Sequence, residues 1–231
     1  MSNGALMPEP LAPQGFAAGL RGFGPWGIIA FLVILGGAFV FMPIAAALIL
    51  LWAWLSKTPW RDLGLARPRS WSGGLVAGIA IGVALKFAMK AIVLPLLGAP
   101  AIAHNVLHDM ALTPLSAIGI AAYSVYGGGL AEEVVFRGYL FERLGKLIGK
   151  GAPATIFTLL FVSALFAVAH WQQGVFAVAQ AAITGLVLGT AFLATGRNLW
   201  LPMVIHAAFD LTSVAMIYYG YENQVAHLVF K

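Results

Sequence analysis

Eight ionisable side chains stand inside apolar stretches of this sequence: Lys86, Lys90, Glu132, Glu133, Arg137, His170, His206 and Asp210. In hydrocarbon each costs about 2.5–3.5 kcal/mol on insertion scales, so each is a candidate for function. On a helix, Glu133 and Arg137 are four residues apart and share a face, where they form an ion pair. Glu132 is turned from Glu133 by about 100° and is left as a free carboxylate. A purely structural pair accounts for one Glu and one Arg but not for the second Glu beside them. Phe166 and His170 are again four apart, which sets an aromatic ring beneath the imidazole. Asp210 follows His206 by four, and a carboxylate on a histidine's face fixes its tautomer and raises its basicity. Each histidine taken alone is more often a satisfied or interfacial residue than a reactive one. A carboxylate pair, a His and a His–Asp pair in successive apolar segments together make a general acid–base set.

The elements that carry these groups must be membrane helices. Of the 231 residues, 61% are hydrophobic and 9% charged, against about 25% charged in a soluble domain. The mean hydropathy is +0.92, and the apolar residues lie in long runs. There is no cysteine, which excludes disulfides, zinc–thiolate sites and a cysteine nucleophile. The net charge of +5 serves orientation and headgroups rather than nucleic acid. The expected fold class is all-α, a polytopic bundle of about six spans. Residues 1–23, rich in Pro, Gly and Ala, read as a flexible tail, and 24–231 as the membrane domain.

A span needs about 20 apolar residues. The first run, Gly27–Leu55, is longer than that and contains Pro43, which predicts a tilted or kinked helix; a hairpin within it would move the N-terminal side across the membrane. Further spans are expected near Gly73–Leu97, from Pro114 through Gly127–Gly129 to about Lys150, and at Ala152–His170, Gly174–Thr195 and Leu199–Tyr219. Lys57, Arg61, Arg67 and Arg69 lie in one connecting loop, Arg143, Lys146 and Lys150 in another, and Arg197 in a third. With six spans these loops share one side, cytoplasmic by the positive-inside rule. A hairpin turning near Lys150 brings Glu132 and His170 to one depth, about 27 and 30 Å along their helices. His206 lies only nine residues beyond Arg197, so its arrival at that depth needs a tilted helix or a cytoplasmic extension of Tyr139–Lys150.

Three segments carry a resemblance to a known family. "EEVVFRG" (Glu132–Gly138), "FAVAH" (Phe166–His170) and "HAAFD" (His206–Asp210) resemble the three motifs of the CPBP family, the CAAX-protease and bacteriocin-processing (Abi-type) intramembrane endopeptidases. The likeness covers about 114–219, the expected catalytic core, with "WRDLGLARP" as a weaker upstream echo. It implies hydrolysis of a peptide bond in a membrane-associated protein or peptide, within the plasma membrane of a bacterium. Glu132 and His170 would activate a water, Glu133 and Arg137 would hold the site together, and His206 and position 210 would face the substrate carbonyl. Asp210 stands where family members often have Asn; an ionised Asp cannot donate to an oxyanion, so its expected role is to orient His206. Glu132, His170 and His206 match the ligand set of a catalytic zinc ion with one open position, and a metal-free, glutamate-activated water fits the same residues.

Two other classes are open from sequence. A small proton- or ion-coupled transporter would use the same buried groups as a relay, with Gly127–Gly129 as a break in a discontinuous helix. An inactive family member would act as a scaffold or immunity factor. Lys86 and Lys90 read as snorkelling residues or cavity lining, and His104, His108 and Asp109 as a solvated loop.

Overall fold

A computed structural model describes residues 15–102, 108–109 and 112–230. Among these residues the protein is helical and contains no strand. Nine helices follow in chain order: α1 (Phe16–Arg21), α2 (Pro25–Val40), α3 (Met42–Leu55), α4 (Trp71–Leu96), α5 (114–148), α6 (Ala152–Ala169), α7 (Val175–Ala194), α8 (Trp200–Tyr218) and α9 (Glu222–Ala226). Four of them, α4, α6, α7 and α8, are long and apolar enough to cross a membrane. This is an integral membrane protein. Its large exposed side chains, among them Phe39, Val40, Trp54, Val76, Leu115 and Ile118, suit contact with lipid.

The run 27–55 is not one kinked span. The chain leaves helix at Phe41, and Pro43 sits in the first turn of the next helix, where its missing N–H is harmless. Helices α2 and α3 then fold back on one another. Gly37 packs against Ala45 and Leu48 near the bend. At the far ends, the Trp52 indole N–H donates to Leu20 O at 3.0 Å. Residues 1–14 of the expected tail lie outside the described residues, whereas α1 is anchored: Arg143 donates to Arg21 O and Gly22 O, each at 2.7 Å. The hairpin therefore returns to the side of the basic loops.

Helix α5 carries the first motif and runs through Gly127–Gly129 without interruption, so the break expected of a discontinuous helix does not occur. Residues 124–132 and 134–140 are instead π-helical, a wider coil with i→i+5 hydrogen bonds often found at functional sites. Gly128 and Gly129 allow α8 to approach: a Cβ on Gly129 would lie 2.8 Å from Ala207 Cβ and 3.0 Å from Met203 O. Phe141–Ile148 continues α5 toward the basic loops, with Phe141 packed on Phe192 and Gly145 beside Arg197 and Lys150. His206 meets both glutamates, with Nδ1 2.8 Å from Glu133 and Nε2 3.9 Å from Glu132.

Helix α8 is clamped from its other side by α4 through Gly74, Gly78 and Gly82. Small residues at spacing four let two membrane helices touch along their backbones. A Cβ on Gly82 would sit 2.4 Å from Ile205 O, and one on Gly78 would sit 2.5 Å from Val204. Gly82→Ala should therefore lower stability by about 1–3 kcal/mol, as overpacking does. Gly119→Ala, whose Cβ meets nothing within 4 Å, should leave the detergent melting temperature unchanged. Equal effects would remove the clamp. For orientation, Ser72→Cys should react with an impermeant thiol reagent from the cytoplasmic face, and Gln172→Cys only from the opposite face.

Candidate active site

Glu133 is fully buried, and its Oε1 accepts two hydrogen bonds. Arg137 Nη1 donates at 2.7 Å, one turn along α5, and His206 Nδ1 donates at 2.8 Å from α8. A carboxylate only accepts, so Nδ1 carries the proton and Nε2 is directed away from Glu133. Of the other Arg137 nitrogens, Nη2 is bonded to another helix and Nε has no hydrogen-bond partner. Its Nη2 donates to Gly185 O of α7 at 3.1 Å, and the guanidinium lies 4.5 Å from the centre of the Phe166 ring. Phe166 also stacks near His170 at 4.7 Å and near His206 at 5.7 Å. It is the apolar floor on which the arginine and both imidazoles rest. His170 sits at the end of α6, with Nδ1 donating to Phe166 O at 2.8 Å.

The side chains left uncommitted face a common cavity of about 180 Å³. Glu132 Oε2 is buried and takes no hydrogen bond. His206 Nε2 lies 3.9 Å from Glu132 Oε2 and 3.7 Å from Asp210 Oδ2, beyond hydrogen-bond range to either. Both histidines, Glu132 and Asp210 line the cavity, together with Tyr123, Gln173, Gln180 and Lys86. All the sequence-predicted site residues thus belong to one centre, with Glu133 and Arg137 behind the wall and the rest in front. Gly128 passes close beneath, where a Cβ would lie 2.7 Å from Asp210 Oδ2.

The orienting role expected for Asp210 falls instead to Glu133, which holds His206 by a direct bond. Four-residue spacing placed Asp210 on the correct helix face, but the imidazole turns toward the cross-helix carboxylate. Of the two readings open for Lys86, snorkelling and cavity lining, the second holds: it lines the cavity, 3.4 Å from Gln180 Oε1 and 4.8 Å above the Phe209 ring. Its spacing of four from Gly82 was the available signal, since Gly82 fixes that face of α4 on α8. His108 is not solvated: it is buried, and its Nε2 lies 2.9 Å from Glu222, which also binds Lys90 at 3.1 Å. His104 lies outside the described residues. The zinc ligand set does not assemble either: among the described residues no three His, Asp or Glu side chains are placed to hold a metal ion.

A buried Glu–Arg–His centre, with a free carboxylate and a free imidazole nitrogen on an intramembrane cavity, has the make-up of a membrane-embedded hydrolase. Residues 114–212 match the family described as Rce1-like, type II CAAX prenyl endopeptidase, in line with the CPBP/CAAX-protease resemblance of the three motifs that fall within them. The match covers rather less than half of the chain and supports CAAX-protease-type intramembrane endopeptidase activity. No curated protein and no solved structure matches the chain.

Breaking a buried ion pair costs about 3–5 kcal/mol. Glu133→Gln should therefore melt well below the wild type, whereas Glu132→Gln, whose carboxylate holds no partner, should melt close to it. Indistinguishable melting curves would cancel the division of labour between the two glutamates.

Proposed function

We propose that the cavity hydrolyses a peptide bond of a membrane-associated protein or peptide with a water activated by Glu132. The observation that carries this reading is the arrangement around Glu133. One buried carboxylate fixes both Arg137 and His206, while Glu132 Oε2 and His206 Nε2 are left facing the same space. In this mechanism Glu132 takes a proton from water as its oxygen attacks the carbonyl carbon. The developing oxyanion meets His206, which as an imidazolium donates from Nε2 while its Nδ1–H stays on Glu133. The proton taken from water passes from Glu132, directly or relayed by His170, to the leaving nitrogen as the C–N bond breaks, and the centre returns to its starting charge.

Asp210 cannot serve as a second donor while ionised. Lys86, the ammonium in the cavity lining, is suited to that place, and it offsets the negative charge Asp210 adds. The compartment proposed is a bacterial plasma membrane.

The purified protein should cut a membrane-associated peptide without an ion gradient, and Glu132→Gln should abolish the cut while leaving the fold intact. His206→Ala should lose about 10²–10³ in rate, the usual loss of an oxyanion donor; His170→Ala should also be inactive. Comparison of membrane proteomes from wild type and Glu132→Gln finds the substrate, which should accumulate as precursor in the mutant. Gradient-dependent flux in liposomes with no peptide product would establish a carrier instead. Undiminished turnover with chelator, in protein shown by elemental analysis to be metal-free, would eliminate the zinc version.

A further inference from the structure

A second cavity, of about 910 Å³, opens at the other end of the bundle, between the starts of α4 and α8 and the end of α7. Five cationic side chains line it, Arg61, Arg67, Arg69, Lys150 and Arg197, against one acid, Asp62. They come from three separate loops and make up five of the 13 Lys and Arg in the chain. Several of the cations elsewhere are already satisfied: Lys90 by Glu222, Arg137 by Glu133, Lys146 by Glu142, and Arg143 by two carbonyls. In the cavity the contact with an acid is Arg61 to Asp62 at 3.9 Å on the surface. Arg67, Arg69, Lys150 and Arg197 form no ion pair among the described residues.

The site is built rather than incidental. Asn198 Nδ2 donates to Ala66 O at 2.7 Å, and Leu199 N–H donates to Gly64 O at 3.0 Å, which ties the Arg197 turn to the Arg61–Arg69 loop. Arg197 itself has a φ of 63°, a left-handed conformation that costs a non-glycine residue energy. Arg197 Nη1 and the Lys150 side chain both lie within 4 Å of the point where a Cβ on Gly145 would stand. The Arg197 guanidinium and the Lys150 side chain thus converge beside Gly145 from two different loops. The amino ends of α4 and α8 border the same space and add their positive dipole ends. Trp71 and Trp200, in edge contact at 4.9 Å with the Trp200 N–H on Trp71 O, mark the depth of the membrane interface.

We propose that this cavity binds a phosphate-bearing anion, and that its interfacial position makes the headgroup of an anionic phospholipid its occupant. Guanidinium groups pair with phosphate oxygens in a fork geometry, and basic pockets between membrane helices on the cytoplasmic side select acidic headgroups. Charges serving orientation alone have no reason to converge on one cavity from three loops.

The test uses the full chain, delipidated and placed in nanodiscs of phosphatidylcholine with or without phosphatidylglycerol, with inorganic phosphate added in detergent as a separate arm. Phosphatidylglycerol should raise the melting temperature, the rise should shrink with salt, and native mass spectrometry should show retained phosphatidylglycerol. The double variants Arg67→Gln/Arg197→Gln and Arg69→Gln/Lys150→Gln should both lose the rise while melting like wild type in pure phosphatidylcholine. Should one pair fail to fold, the other still decides. Lys57→Gln, on the same face outside the cavity lining, should keep the rise. A saturable rise with inorganic phosphate that the double variants lose, with none from lipid, assigns the same site to a soluble phosphate compound. No rise in the wild type from either source, a rise untouched in the double variants, or an equal loss in Lys57→Gln would overturn the proposal.

Discussion

The Glu133 carboxylate is the group on which the rest of the site depends. Arg137 is buried to the last atom and would be prohibitively costly there without a partner. Glu133 supplies the opposite charge one turn away, and the same oxygen reaches across to His206. Since Glu133 is on α5, His206 on α8, and the other carbonyl partner of Arg137 on α7, one charge network pins three helices. The Phe166 ring adds α6 to the set by offering its face to the guanidinium. Removing any member leaves a buried charge or donor unsatisfied, so the motif residues are interdependent rather than additive.

That network is possible only because the backbones come close. Two carboxylates, two imidazoles and a guanidinium cannot meet between helices held apart by leucines. Gly128 and Gly129 on one side of α8 and Gly74, Gly78 and Gly82 on the other remove the side chains that would keep the helices apart. Along α5, consecutive residues are turned by about 100°, so that Glu133 points into the bundle while its neighbour Glu132 opens onto the cavity. Catalytic geometry and close packing are the same constraint here, imposed by the same residues.

The local part of this was legible in the sequence. Composition and long apolar runs pointed to a helical membrane protein, and four-residue spacing revealed both the Glu133–Arg137 pair and the stacking of His170 on Phe166. Contacts between helices were not legible, because spacing along one helix does not tell which neighbour a side chain faces. Asp210 was the nearest carboxylate to His206 in sequence, yet Glu133, 73 residues away, makes the bond. Lys86 and Lys90 share one face by sequence spacing, but one lines the site and the other pairs with Glu222 near the end of the chain. The hairpin at Phe41 stood in the sequence only as an alternative to a kinked span, because a proline within an apolar run signals a kink and a reversal equally well.

Charge balance gives the site its remaining logic. Glu132, Glu133 and Asp210 bring three negative charges to the centre when ionised, and Arg137 and Lys86 bring two positive ones. With both imidazoles neutral, one negative charge is left in a region of low dielectric, where an unbalanced charge is costly. In the proposed mechanism the sum closes with one additional proton on His206, whose Nε2 lies 3.9 and 3.7 Å from Glu132 and Asp210. Asp210 fits this reading: its charge is offset by that proton and by Lys86 in the same cavity lining.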